Sequence, residues 1–93
     1  MSHTTFGNTW NKAGTATTTV TTDALAVWDA NGSRPRKVDV LNDGSVDLLV
    51  QVHIGGAVFT IAPGESSLFN TISDGLTVEA ASGTCAFRAH AEG

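Results

Sequence analysis

Apolar and polar positions alternate with a period of two along several short runs of the chain. Val46, Leu48, Val50, Val52 and Ile54 form one set, and Asp47, Leu49, Gln51 and His53 form the other. A strand sends successive side chains to opposite faces, so the first set is expected in a core and the second outside it. Leu76, Val78 and Ala80 repeat the pattern, as do Cys85, Phe87 and Ala89, with Ala86, Arg88 and His90 on the other face. Residues 15–22 read TATTTVTT, a β-branched run suited to strand. Ala24–Trp28 is a short apolar run. No window carries a sustained helical period.

Turn chemistry punctuates these runs. Asp43-Gly44 stands between Val38–Asn42 and Val46–Ile54, which predicts a hairpin. Gly55-Gly56 turns the chain into Ala57–Ile61, and Asn31-Gly32, Asp74-Gly75 and Ser82-Gly83 mark further turns. Pro63-Gly64 supplies the fixed φ and the positive φ that a type II turn takes at its two central positions. The spacing of about seven or eight short strands predicts an all-β fold, a small antiparallel β-sandwich of jelly-roll or Greek-key type. Residues 1–14 read as an extended N-terminal arm and residues 15–93 as a single sandwich domain.

Composition narrows the function. The chain has 93 residues, enough for one modest core. Its net charge of −4 gives no basic footprint for nucleic acid. No apolar run approaches the roughly 20 residues that span a bilayer, and nothing in residues 1–14 reads as a signal peptide. Cys85 is the one cysteine, so no internal disulfide forms, and its place beside Phe87 makes it a small core residue. The expected setting is a cytoplasm, or a particle assembled there.

Chemistry-bearing residues are sparse. The stretch Gly64-Glu65-Ser66-Ser67-Leu68 lacks the final glycine of a nucleophile elbow, so it reads as a corner. His53 and His90 fall on outward faces and His3 in the arm, without the clustering a metal site needs. Asp39, Asp47 and Glu79 are outward carboxylates with no cleft to hold them as an acid–base pair. No catalytic residue, metal or cofactor is expected.

Other residues point to partners. Phe6 and Trp10 are the aromatic anchors of the arm, suited to holding it on a neighbouring subunit. Arg34, Arg36 and Lys37 concentrate positive charge in one loop; a solvated loop is the plainer reading, and docking to an acidic partner surface the functional one. Leu41, Leu49 and Val58 point away from the main core, as expected of a face covered by the other sheet or by another subunit.

The segments VDVLNDGSVDLLVQVHI, VFTIAPGESSLF and LTVEAASGTCAFRAH, taken in order, resemble small β-sandwich structural proteins of tailed bacteriophage virions. The resemblance covers Val38–Ala91 and carries no site residue. It implies a non-enzymatic virion component of decoration or cement type, often a trimer. Such a component is assembled in the host cytoplasm and bound to the major capsid protein or other virion proteins. A carbohydrate- or receptor-binding module of a tail, fibre or neck protein is the alternative. It needs an exposed aromatic platform, for which Trp28 is the one tryptophan beyond the arm.

Overall fold

A computed structural model of the chain describes residues 9–23 and 35–92. Their eight strands are β1 (Thr9–Thr17), β2 (Thr21–Asp23), β3 (Lys37–Asn42), β4 (Leu48–Gln51), β5 (Phe59–Ile61), β6 (Ser66–Phe69), β7 (Leu76–Ala80) and β8 (Thr84–Glu92). They form two antiparallel four-stranded sheets, ordered β1-β8-β3-β6 and β2-β7-β4-β5. The fold is therefore a small all-β sandwich, and this strand order is that of an eight-stranded jelly roll.

Alternation decides the core. Val38 and Val40 of β3, Leu48 and Val50 of β4, Leu76 and Val78 of β7, and Cys85 and Phe87 of β8 are buried between the sheets. These are the inward residues that the period of two selects. Val52 continues the set as a buried residue, but β4 ends at Gln51 and Ile54 is exposed. The chain turns at once instead: the Gly56 N–H donates to the His53 carbonyl at 2.8 Å, and Gly55 takes φ 79°. β4 and β5 then pair as a hairpin, with Leu48 opposite Ile61 and Val50 opposite Phe59.

Three sequence expectations are corrected. The run 15–22 is not one strand: Ala16 is buried at the end of β1, and residues 18–20 bend across to the second sheet. The Thr19 N–H donates to Thr17 Oγ1 at 3.2 Å, a threonine competing locally with the ladder. The boundary of the folded part lies earlier than residue 15. Residues 9–14 are most of β1, and each pairs with β8, from Thr9 opposite Glu92 to Gly14 opposite Phe87. The hairpin expected at Asp43-Gly44 is an arch. β3 and β4 are not partners; they lie in different sheets, and residues 43–47 carry the chain across the sandwich.

The side chain of Asn42 replaces the missing ladder. It is fully buried, and all four of its hydrogen-bonding positions are used. Nδ2 donates to the Val46 carbonyl at 2.7 Å and to the Ile61 carbonyl at 2.8 Å. Oδ1 accepts from the Gly44 N–H at 2.8 Å and from the Cys85 thiol at 3.0 Å. The main chain of Asn42 meets the Pro63-Gly64 corner, accepting from the Gly64 N–H and donating to the Glu65 carbonyl, both at 2.9 Å. That corner is the expected type II turn: the Glu65 N–H donates to the Ala62 carbonyl at 3.0 Å, and Gly64 has φ 80°.

Gly44 is needed for a reason other than turn conformation. A Cβ there would stand 2.7 Å from Cys85 Sγ and 3.0 Å from the Ala86 nitrogen. The arch thus passes in contact with β8, and any side chain would push it off.

Candidate interaction surface

Four of the connections that cross between the sheets, 17–21, 42–48, 61–66 and 80–84, gather at one end of the sandwich. The other end carries the β4–β5 and β6–β7 connections and the starting residue of β1. Polar side chains tie these two connections together. Ser73 is buried; its hydroxyl lies 2.7 Å from the Val52 carbonyl and accepts from the Gly75 N–H at 3.1 Å. The Ile54 N–H donates to Asp74 Oδ1 at 2.8 Å, and His53 Nε2 lies 3.1 Å from Thr71 Oγ1.

Beside this end, the sandwich is open along the edge made by β5 and β6. Each is the last strand of its sheet. Phe59 faces inward beside Val50, and Phe69 faces inward beside Val38, so the two rings meet between the sheets with centroids 5.0 Å apart, tilted by 55°. Both strands are short, and among the described residues no further strand closes over the rings. Phe59 is 43% exposed, and nearby Ile54, Val58, Leu68 and Ile72 are 52%, 57%, 53% and 53% exposed. A cleft of about 360 Å³ opens here, lined by Val52, His53, Phe59, Leu68, Phe69 and Thr71. Its size falls within the roughly 300–1,000 Å³ of ligand clefts, and its apolar walls with a few polar groups are of the usual kind.

A second surface is the outer face of the β1-β8-β3-β6 sheet. Asn11, His90, Asp39 and Leu68 stand in one row across it. His90 Nδ1 lies 2.7 Å from Asn11 Oδ1, and its Nε2 lies 2.9 Å from Glu92 Oε2. Arg88 grips Asp43 with two bonds, Nε to Oδ2 at 2.6 Å and Nη2 to Oδ1 at 3.2 Å. This hydrogen bond holds the Asp43 carboxyl below the usual carboxylate range and raises the Arg88 guanidinium. A shallow depression of about 220 Å³ lies among Asn11, Asp39, Leu41, Arg88 and His90.

The residues singled out from sequence are scattered over this frame. Phe6 and Arg34 lie outside the described residues, as does Trp28. Trp10 is in β1, partly buried and packed against the core of its own chain, so it anchors the strand to the sandwich. Arg36 and Lys37 are exposed where β3 begins, and the Arg36 N–H donates to the Glu92 carbonyl at 2.7 Å. Leu41 and Leu49 are half-buried on the outer faces of opposite sheets, so they do not form one patch. Val58 is exposed beside the open edge, away from both. Asp39 and Glu79 likewise lie on opposite outer faces. Among the described residues no three histidine, cysteine or carboxylate side chains come together as a metal site.

Sequence reasoning passed over Phe59, Leu68 and Phe69. A signal for them existed: the two phenylalanines flank Pro63-Gly64 at similar distances, and a corner between short strands brings such positions level. Comparison with family models, with curated proteins and with solved structures finds no match to this chain.

Proposed function

We propose that the chain is a non-enzymatic structural subunit of a virion, a decoration or cement-type protein that docks on a shell and ties its subunits together. The observation that carries this reading is the open β5–β6 edge. Phe59 and Leu68 are partly or largely in solvent in the lining of one cleft, and the exposed Ile54, Val58 and Ile72 adjoin its lining residues in the chain, on a domain with few charges. Apolar surface concentrated in this way marks a place where another protein sits. A net charge of −4 favours a protein partner over nucleic acid or an anionic membrane. The partner in this reading is the major capsid protein or another virion protein, and the chain acts there as a homo-oligomer, a trimer matching a threefold axis of the shell.

The test is composition of particles. Virions purified from cells expressing the gene contain the chain at a fixed ratio to the shell protein, and they lose heat or chelator resistance when the gene is deleted. A chain found wholly in the non-particulate fraction would defeat the reading. The depression at Asn11, Asp39, Arg88 and His90 favours a second reading, a carbohydrate- or receptor-binding module, since its donors and acceptors suit hydroxyl groups. Titration with oligosaccharides separates the two: shifts of the His90 and Asn11 resonances support sugar binding, and their absence removes it.

A further inference from the structure

We infer that the β5–β6 cleft receives residues 1–8 of a second copy of the chain, with Phe6 entering beside Phe59 and Phe69. This deepens the structural-subunit reading by naming the contact through which copies join.

Three observations meet in this assignment. The first is the edge itself. Among the described residues β6 pairs with β3 on one side and has no strand partner on the other. An extended segment can therefore add to β6 as a further strand. A strand added there places alternate side chains toward the cleft between the sheets. With Phe6 on that side, Thr4 and Asn8 share its face.

The second is chemistry. Residues 1–8 read MSHTTFGN, with no carboxylate, lysine or arginine, and Phe6 is their one aromatic. The cleft is walled by Phe59 and Phe69 beside Val52, with Leu68 at its outer rim and His53 and Thr71 at its polar margin. Aromatic pairs with centroids 4.5–7 Å apart contribute beyond their buried area, and the 5.0 Å pair already present offers its open side to a third ring.

The third is reach. Residues 1–8 precede Thr9, which stands at the same end of the sandwich as the cleft, in a row with Glu92 and Lys37. A segment lying on the free edge of β6 is four strand spacings from β1, about 19 Å. Phe6 is three residues before Thr9, and three residues span at most about 11 Å. Phe6 therefore cannot lie along the free edge of β6 in its own chain, whereas the same edge of a neighbour is open to it.

The experiment places a photo-crosslinking phenylalanine analogue at position 6 of the full-length chain. Equal amounts of ¹⁵N-labelled and unlabelled protein are mixed, irradiated and mapped by mass spectrometry. The expected product joins position 6 to the stretch containing Phe59 or to Leu68–Thr71, and it contains one labelled and one unlabelled partner. In parallel, Phe6→Ser and Leu68→Ser each lower the mass seen by light scattering to that of one chain, 9.6 kDa. Crosslinks within one chain only, crosslinks to another surface, a cleft filled by residues 24–34, or a monomeric unmodified protein would each overturn the assignment. Incorporation into particles is measured separately. A chain that is present on virions but crosslinks through position 6 only to the shell protein would overturn the arm exchange and leave the virion reading standing.

Discussion

The arch at Asn42 and the rim at Phe59 and Phe69 solve opposite problems with the same short strands. At the arch the chain crosses between sheets at the end of the sandwich, and one buried amide satisfies two carbonyls, an N–H and a thiol. At the rim the chain has two edge strands of three and four residues, and the core side chains between them are left partly in water. The first region is closed and its groups have no use for a partner. The second is unfinished, and its groups gain from one. Stability and association are thus expected to reside in different residues.

The largest effect should come from the arch. Asn42→Ala takes a partner from four groups, of which the Cys85 thiol still faces the Val46 carbonyl at 3.4 Å, and each buried group left unsatisfied costs about 1–3 kcal/mol. An expected loss of about 3 kcal/mol or more corresponds to a fall in Tm of roughly 15 °C for a domain of this size. Thermal unfolding followed by circular dichroism measures it. A loss no larger than that of an ordinary surface variant would show that water replaces the amide and that the arch is not closed.

Gly44→Ala comes next. The added Cβ meets Cys85 Sγ and the Ala86 main chain, and the expected cost is about 1–3 kcal/mol, as for other overpacked cores. Pairing it with Cys85→Ala in a double-mutant cycle tests the contact directly. The double variant should be more stable than the sum of the two single losses predicts. Strict additivity would place the strain in the backbone near Ala86 instead.

These two residues also mark where the sequence could and could not be read. The period of two identified the buried residues of β4, β7 and β8, because inward and outward positions differ in polarity there. The type II corner was equally legible, since Pro63 and Gly64 meet conformational demands that act within the turn. Asn-Asp-Gly was misread as a hairpin because the same small polar residues serve a tight turn and an arch. What distinguishes the two is a bond from Asn42 to Ile61, 19 residues away, and a contact from Gly44 to Cys85, neither of which is local. Trp10 looked like an arm anchor for a similar reason. An aromatic among polar residues gives no sign of a partner strand as distant as β8. The rim was invisible because Phe59 and Leu68 sit in ordinary strand patterns; only the topology leaves them uncovered.

At the far end of the sandwich, Ser73→Ala should cost about 1–2 kcal/mol, since it strips the buried Val52 carbonyl and Gly75 N–H of a partner. Urea unfolding with an unchanged m-value would confirm a loss of stability alone. Leu68→Ser and Val58→Ser should change stability by less than about 0.5 kcal/mol, as exposed positions do. Their effect should instead appear in the solution mass. A rim variant that unfolded the domain without altering association would reverse the contrast between the two regions.

The smallest effect tests whether the closed end owes anything to charge. Asp43 follows Asn42 directly, and its carboxylate is held by Arg88 on the solvent side of β8. Its pKa is lowered in the folded chain, chiefly by the Arg88 hydrogen bond. A lowered carboxylate pKa favours the folded state above the unfolded-chain value of about 3.9, and the advantage disappears as pH falls through the folded-state value. Asp43→Asn should therefore unfold slightly earlier than the parent at neutral pH, and the gap should close in acid. Salt should narrow it as well, because the pair is exposed. A gap that persisted unchanged into acid could not come from the ion pair. It would belong to the backbone of the arch, where the Asp43 N–H donates to the Ala86 carbonyl at 2.9 Å, and charge would then have no part in closing this end.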